Sequence, residues 1–246
     1  MSGHTLVVLA DAHLGATAPA VQERLLAFLP RVPEEGDALL INGDLFDFWF
    51  SYGRVIPRHG FRVAAALARL AARLPVAMVG GNHDRWDTDF WRSEVGVDFH
   101  PVGARLSVGR RRVLAVHGDG LTDRRWSSRL IHWTVSHPAT RLAYRALHPD
   151  LGLPLVDRLA PRLGDRSAGA ETHALAAASQ RAWAADLLAR DSEVDLLVMG
   201  HTHRPALEEL APGRHYLNPG AWFDDGRYAV VTETDVRLCR AATPRT

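Results

Sequence analysis

Five short polar stretches hold the residues able to do chemistry: Asp11-Ala12-His13, Asn42-Gly43-Asp44-Leu45-Phe46-Asp47, Gly81-Asn82-His83-Asp84, His117-Gly118-Asp119 and Gly200-His201-Thr202-His203. They supply carboxylate oxygens, a carboxamide oxygen and imidazole nitrogens. That mixture of hard and borderline donors suits a dinuclear hydrolase using Mn²⁺, Fe²⁺ or Zn²⁺. Asp44 follows the apolar run Ala38-Leu39-Leu40-Ile41 and is the candidate to bridge two ions. Taken singly each element is weak, because a strand-end Asp is commonly a helix cap and a lone His is commonly a hydrogen-bonded structural residue. Five in series, each at the end of an apolar run or after a Gly, argue for one shared site.

The elements that must position these groups follow from the hydrophobic pattern. Residues 5–10 form a continuous aliphatic and β-branched run, the pattern of a strand buried on both faces, and end at Asp11. Pro19 opens a helix carrying Val21, Leu25, Leu26, Phe28 and Leu29, which Pro30 and Pro33 are expected to stop. Strand 38–41 leads into Asp44, a helix over about 61–74 presents Val63, Leu67, Leu70 and Leu74 on one face, and strand 76–79 leads into Asn82. This alternation predicts an α/β fold with its reactive groups at the carboxyl ends of the strands. Residues 104–108 and 112–116, around Gly109-Arg110-Arg111, read as an antiparallel hairpin. Runs at 194–199, 216–218, 228–232 and 236–239 read as further strands, giving two packed sheets with helices outside.

The totals bound the function classes. With 246 residues, 47% of them hydrophobic, the chain is long enough for one large domain carrying an insertion. All 29 basic residues are Arg, which excludes Schiff-base and Lys-nucleophile chemistry. Net charge is only +1, and Arg110-Arg111-Arg112 read as a solvated hairpin tip, so no nucleic-acid partner is expected. A single Cys239, an N-terminus without a charged and apolar leader, and no run near the ~20 apolar residues of a membrane span predict a cytoplasmic protein.

The interval between His117 and His201 is too long for an ordinary connection, so residues about 121–190 are expected to form a helical insertion, a lid within a single domain spanning 1–246. Trp126, Leu130 and Trp133 make an apolar stripe there, and residues 121–168 hold eight Arg against four Asp. Such a basic, aromatic segment suits an anionic lipid-bearing substrate or an anionic membrane; the plainer alternative is that the stripe packs the insertion onto the core.

The series D-x-H, G-D-x-x-D, G-N-H-D, His-Gly and G-H-x-H, complete and in order over residues about 5–220, strongly resembles the signature of the calcineurin-like metallophosphoesterase superfamily. The resemblance implies a four-layer α-β-β-α sandwich of two mixed sheets flanked by helices. It implies one metal held by Asp11, His13, Asp44 and His203 and another held by Asp44, Asn82, His117 and His201. A bridging carboxylate places two ions ~3.5 to 4 Å apart, so that both polarise one phosphoryl group and activate one water for in-line attack. His83 is not a ligand in that pattern. It faces the phosphate as imidazolium, stabilising charge or protonating the leaving oxygen, with Asp84 orienting the ring. Asp47 and Asp119 read as carboxylates that support the ligands or cap the loops.

Within the superfamily the longer match is to the UDP-2,3-diacylglucosamine pyrophosphohydrolases of lipid A synthesis. It is carried by Gly43-Asp44-Leu45-Phe46-Asp47-Phe48-Trp49-Phe50, His117-Gly118-Asp119-Gly120-Leu121, His148-Pro149-Asp150-Leu151-Gly152, Gly200-His201-Thr202-His203-Arg204-Pro205 and Gly220-Ala221-Trp222. One branch of that family has Arg where this chain has His83. The resemblance implies cleavage of a lipid-linked UDP-sugar to UMP and an acylated sugar phosphate, with Mn²⁺ as the expected metal. Substrate contacts are expected at Asn82, His83, Asp123 and His201. A monomer in peripheral contact with the cytoplasmic face of the inner membrane fits that substrate. The alternatives are the same metal centre acting on another phosphodiester, nucleotide or phosphoprotein, and an inactive metal-binding scaffold. The scaffold sits poorly with a complete ligand set.

Overall fold

In the computed structural model, which describes residues 2–86, 89–121, 137–152, 154–155 and 170–242, alternation within the buried runs builds two sheets around a shared interior. Strand β2 (Thr5–Leu9) turns Leu6 and Val8 to one side and Val7 and Leu9 to the other; β3 (Ala38–Asn42) does the same with Leu40 against Leu39 and Ile41. A strand apolar on both faces needs cover on both, and a four-layer sandwich supplies it.

The first sheet has the order β12 (Val236–Arg240), β11 (Arg227–Thr232), β2, β3, β4 (Val76–Val79), β5 (Asp98–His100), with β2 to β5 parallel. The second has the order β1 (Ser2–Gly3), β6 (Gly103–Val108), β7 (Arg111–Val116), β8 (Leu196–Val198), β10 (Arg214–Asn218), β9 (Ala206–Ala211), with β7, β8 and β10 parallel. Both are mixed. Leu6, Val8, Leu40 and Val79 of one sheet meet Leu106, Val113, Leu196 and Val198 of the other. At ~1.5–3 kcal/mol for each fully buried aliphatic side chain, this interior layer is a large share of what holds the fold.

Helices Pro19–Phe28 and Phe61–Ala71 cover the outer face of the first sheet through Val21, Leu25, Phe28, Val63, Leu67 and Leu70. Helix Ala170–Arg190 covers the second through Ala184 and Leu188, against Leu197, Met199 and Tyr216. A shorter helix, Pro138–Arg145, lies between β7 and that long helix. Trp126, Leu130 and Trp133 lie outside the described residues.

Three local expectations change or are refined. Pro30 and Pro33 do not end the helical path; each sits in the first turn of a new short segment, Leu29–Arg31 and Val32–Glu35, where a missing N–H costs little. Strands β5 and β9 were not legible as apolar runs. The basic hairpin keeps its solvated tip, the Arg110 side chain being 92% exposed, but its charges are paired: Arg110 with Glu233, and Arg112 with Asp195 and Glu193. Among the described residues no helix is long and apolar enough to cross a membrane.

Candidate metal centre

The carboxyl ends of β2, β3 and β4 in one sheet and of β7 and β8 in the other open onto the same edge, and backbone hydrogen bonds lash the loops together there. Asp11 N donates to Gly43 O at 3.1 Å, Ala12 N and His13 N to Asp44 O at 2.9 and 3.0 Å, and Gly200 N to His117 O at 2.9 Å. Among the described residues seven non-glycine residues have positive φ, and five of them are Asp11, His13, Asp44, His201 and His203. A left-handed non-glycine residue costs of order 1–3 kcal/mol and persists only where its surroundings over-determine it. Here the hydrogen bonds between loops do so. Two glycines let the loops approach: a Cβ on Gly43 would strike the His117 ring, and one on Gly81 the Asp44 carboxylate.

The side chains converge in three clusters whose ligand atoms all lie within 4.8 Å of one another: Asp11, His13 and His203; His13, Asp44 and His83; Asp44, His117 and His201. Asp44 and His13 each belong to two. His13 Nε2 and His203 Nε2 are 3.2 Å apart, and His117 Nε2 and Asp44 Oδ2 3.1 Å. Two donors each ~2.1 Å from one ion at 90–110° are separated by about 3.0–3.4 Å, so these are the edge lengths of a coordination shell. His117 gives a sharper test. Its Nδ1 lies 2.9 Å from Asn42 O, a carbonyl that can only accept, so Nδ1 carries the proton. In the neutral ring Nε2 then turns a lone pair toward Asp44 and Asp11, without hydrogen-bond geometry to either. Lone pairs facing one another in a buried site call for a cation between them. Asn82 Oδ1 is likewise buried without a hydrogen-bond partner. The donor set therefore fits divalent metal.

Electrostatics point the same way. Burial pushes Asp11 up to about 7, partly opposed by His117, whereas Asp44, equally buried, is drawn below its ordinary range by the imidazoles of His117, His83 and His13. His117 is raised well above its ordinary value, its desolvation outweighed by Asp44 and Asp11, and in the metal-free protein it holds a proton where a metal would serve. Burial drives His203 down to about 3, leaving a neutral ring ready to ligate. The floor of the centre is dry, while His83 and His203 are partly exposed and form its open rim.

Asp84 is tied chiefly to backbone amides of the two loops. Its carboxylate accepts backbone N–H bonds from Gly81 at 2.9 Å, Leu45 at 2.6 Å and Asp44 and Phe46 at 3.3 Å, knitting the β3 and β4 loops together. The His83 ring is instead held by the carbonyl of Asp47, 2.6 Å from Nδ1, and its backbone N–H donates to Asp44 Oδ1 at 3.0 Å. Asp119 pairs with Arg85, which also donates to Gly81 O at 2.9 Å, so this pair ties the β7 loop to the β4 loop. Asp123 lies outside the described residues. Two residues behind the histidines, Gln180 and Asn218, were not singled out from the sequence. Asn218 ends a strand and carried some signal, but Gln180 lies in an Ala-rich helix and carried none.

Residues 4–205 match the family model of the calcineurin-like phosphoesterases, and the chain belongs to that family, a class of metal-dependent hydrolases. It is similar to the UDP-2,3-diacylglucosamine hydrolase of Porphyromonas gingivalis, at 30% identity over 249 residues, covering 93% of this chain and 94% of the relative. It is similar also to the UDP-2,3-diacylglucosamine hydrolase of Escherichia coli, at 32% identity over 238 residues, covering 94% and 96%. Among solved structures a looser likeness is to Yfce, a phosphoesterase from E. coli, with TM-score 0.46 and 16% identity over 97% of this chain and 100% of that one.

Proposed function

We propose that this protein hydrolyses the pyrophosphate bond of UDP-2,3-diacylglucosamine, releasing UMP and 2,3-diacylglucosamine 1-phosphate. The observation that carries the reading is the near end-to-end likeness to relatives of that name, supported by three overlapping groups of Asp and His that could hold metal. Asp11, His13, Asp44 and His203 would hold one ion and Asp44, Asn82, His117 and His201 a second, with Mn²⁺ the first metal to try. When bound, such ions supply Lewis acidity to a phosphoryl oxygen and lower the pKa of water.

The chain's own residues do the rest. Asp44, low in pKa and fixed by the His83 N–H, stays anionic between the two ligand sets. His83 stands on the open rim with Nδ1 committed to Asp47 O, which leaves Nε2 as the atom available to a phosphoryl or leaving oxygen. Burial lowers the His83 pKa, so the ring is neutral at neutral pH until the negative charge of a bound phosphate raises it. Tyr144, from the helix Pro138–Arg145, packs edge-on or tilted among Phe48, Phe50 and Trp86, with ring centroids 5.6, 4.8 and 5.6 Å away. That aromatic seam joins the insertion to the loops beside His83. Leu142 and Leu151, 70% and 67% exposed, add apolar surface suited to acyl chains. A monomer resting by this side on the cytoplasmic face of the inner membrane is consistent with a lipid-bearing substrate.

The test is Mn²⁺-dependent hydrolysis of UDP-2,3-diacylglucosamine beside UDP-N-acetylglucosamine and bis(p-nitrophenyl) phosphate, with Asp44→Ala as blank. The expected result is strong preference for the diacylated substrate with UMP released, and loss of both metal and activity in the blank. Activity on the small diester alone would keep the metal centre and discard the substrate; full activity in the blank would discard the bridging carboxylate.

A further inference from the structure

We infer that Gln180, on the helix outside the second sheet, is a positioning residue for the His201 and His203 arm of the metal centre; this rests on the proposed metal reading and extends it. Gln180 is 1% exposed. Its Nε2 donates to Gly200 O at 3.1 Å, and its Oε1 accepts from Thr202 Oγ1 at 3.2 Å and Tyr216 Oη at 2.9 Å. Asn218 completes the cage, its Nδ2 donating to Gly200 O and Thr202 Oγ1 at 3.1 Å each while its Oδ1 accepts from Gly220 N at 2.9 Å.

The consequence lies in one peptide plane. In a trans peptide the carbonyl and the following N–H point in opposite directions. Gln180 and Asn218 hold the Gly200 carbonyl away from the centre, and the same plane then aims His201 N–H into the Asp11 carboxylate, 3.1 Å from both oxygens. That bond orients Asp11 and sets the left-handed His201, from which His203 follows two residues on. A Cβ at Gly118 would collide with the Gln180 amide, so the same side chain also backs the turn next to His117. Gln180 thus touches the loops that deliver three of the expected ligands, His117, His201 and His203.

The test measures metal rather than turnover alone. Mn²⁺ is titrated calorimetrically into wild type, Gln180→Met, Thr202→Val and His201→Ala, and melting temperature and kcat on bis(p-nitrophenyl) phosphate at saturating Mn²⁺ are read alongside. Gln180→Met keeps the shape and removes both polar atoms. It is expected to weaken Mn²⁺ binding by tenfold or more, with kcat at saturating metal within about threefold of wild type. Thr202→Val removes the hydroxyl between Gln180 and Asn218 and shifts affinity in the same direction, which keeps the inference testable should Gln180→Met not fold. Wild-type affinity in both variants, with only the melting temperature lowered, would overturn the positioning role while leaving the metal centre intact. Mn²⁺ binding unchanged in His201→Ala, or absent from wild type, would overturn the metal reading and the role of Gln180 with it.

Discussion

Two imidazoles of the centre, His83 and His117, are fixed alike through Nδ1 by a backbone carbonyl, yet their surroundings separate them. His117 is fully buried and its Nε2 faces Asp44 and Asp11, the position of a ligand; His83 stands on the rim. His83→Ala is expected to keep its metal and lose ~10²-fold or more in kcat, as loss of a general acid or charge-stabilising group does. Loss of metal in that variant would instead make His83 a ligand, an arrangement its cluster with His13 and Asp44 accommodates. The protons these groups carry in the metal-free protein give a second prediction at this scale. Asp11 at about 7 and His117, raised well above its ordinary value, hold protons that ligation must displace, whereas His203 at about 3 holds none at neutral pH. A raised pKa in the metal-free protein means protons are released on metal binding below that pKa, so Mn²⁺ affinity rises with pH between about 6 and 8, by up to about tenfold per unit for each proton still bound and less steeply above about 7, where Asp11 has lost its own. Calorimetry in buffers of different ionisation enthalpy reads that release directly; a flat affinity over this window would contradict the protonation pattern.

At the scale of elements, the loops were legible because buried strands announce themselves and a parallel sheet sends their carboxyl ends to one edge. Residues 5–10, 38–41 and 76–79 are nearly the observed β2, β3 and β4, and the hairpin turn falls at Gly109-Arg110 as the spacing predicts. What escaped has physical reasons. Strand β9 alternates half-buried and exposed residues and carries Glu208 and Glu209, so only its pairing with β10 makes it a strand. Asp84 was read beside its sequence neighbour His83, whereas its partners are backbone amides up to 40 residues away, which no local pattern reports. Gln180 is a polar residue made buried by a sheet that lies elsewhere in the sequence. The aromatic seam at Tyr144 ties the helix Pro138–Arg145 to the loops of Phe48, Phe50 and Trp86, and its prediction concerns selectivity. Tyr144→Ala is expected to lower kcat/KM on the diacylated substrate by about tenfold or more while changing that on bis(p-nitrophenyl) phosphate by less than about threefold. Equal losses on both substrates would mean the ring supports the loops rather than the acyl chains.

Across the described residues the centre lies at the seam between two sheets whose shared interior is apolar, with a second polar tie where Arg110 and Arg111 of the hairpin reach Glu233. Asp11, His13, Asp44, Asn82 and His83 come from the first sheet, His117, His201 and His203 from the second. Direct polar ties across the seam include Asn42 Nδ2 donating to Val116 O at 3.1 Å, His117 Nδ1 to Asn42 O at 2.9 Å, His201 N to Asp11, and the Arg85–Asp119 ion pair. The left-handed residues store strain at the same edge. Metal bound by donors from both sheets would oppose that strain and bind the folded chain alone, because the unfolded chain does not assemble the donors. Mass action then stabilises the fold by about 2.7 kcal/mol when free metal is 100 times its Kd. For a chain of this length, with about 2–4 °C per kcal/mol, chelation should lower the melting temperature by roughly 5–10 °C, and added Mn²⁺ should restore it. In Asp44→Ala the same chelation should shift the melting temperature far less, since the variant lacks the bridge. A melting temperature indifferent to chelation in the wild-type protein would mean that the donor cluster does not hold metal at the concentrations used.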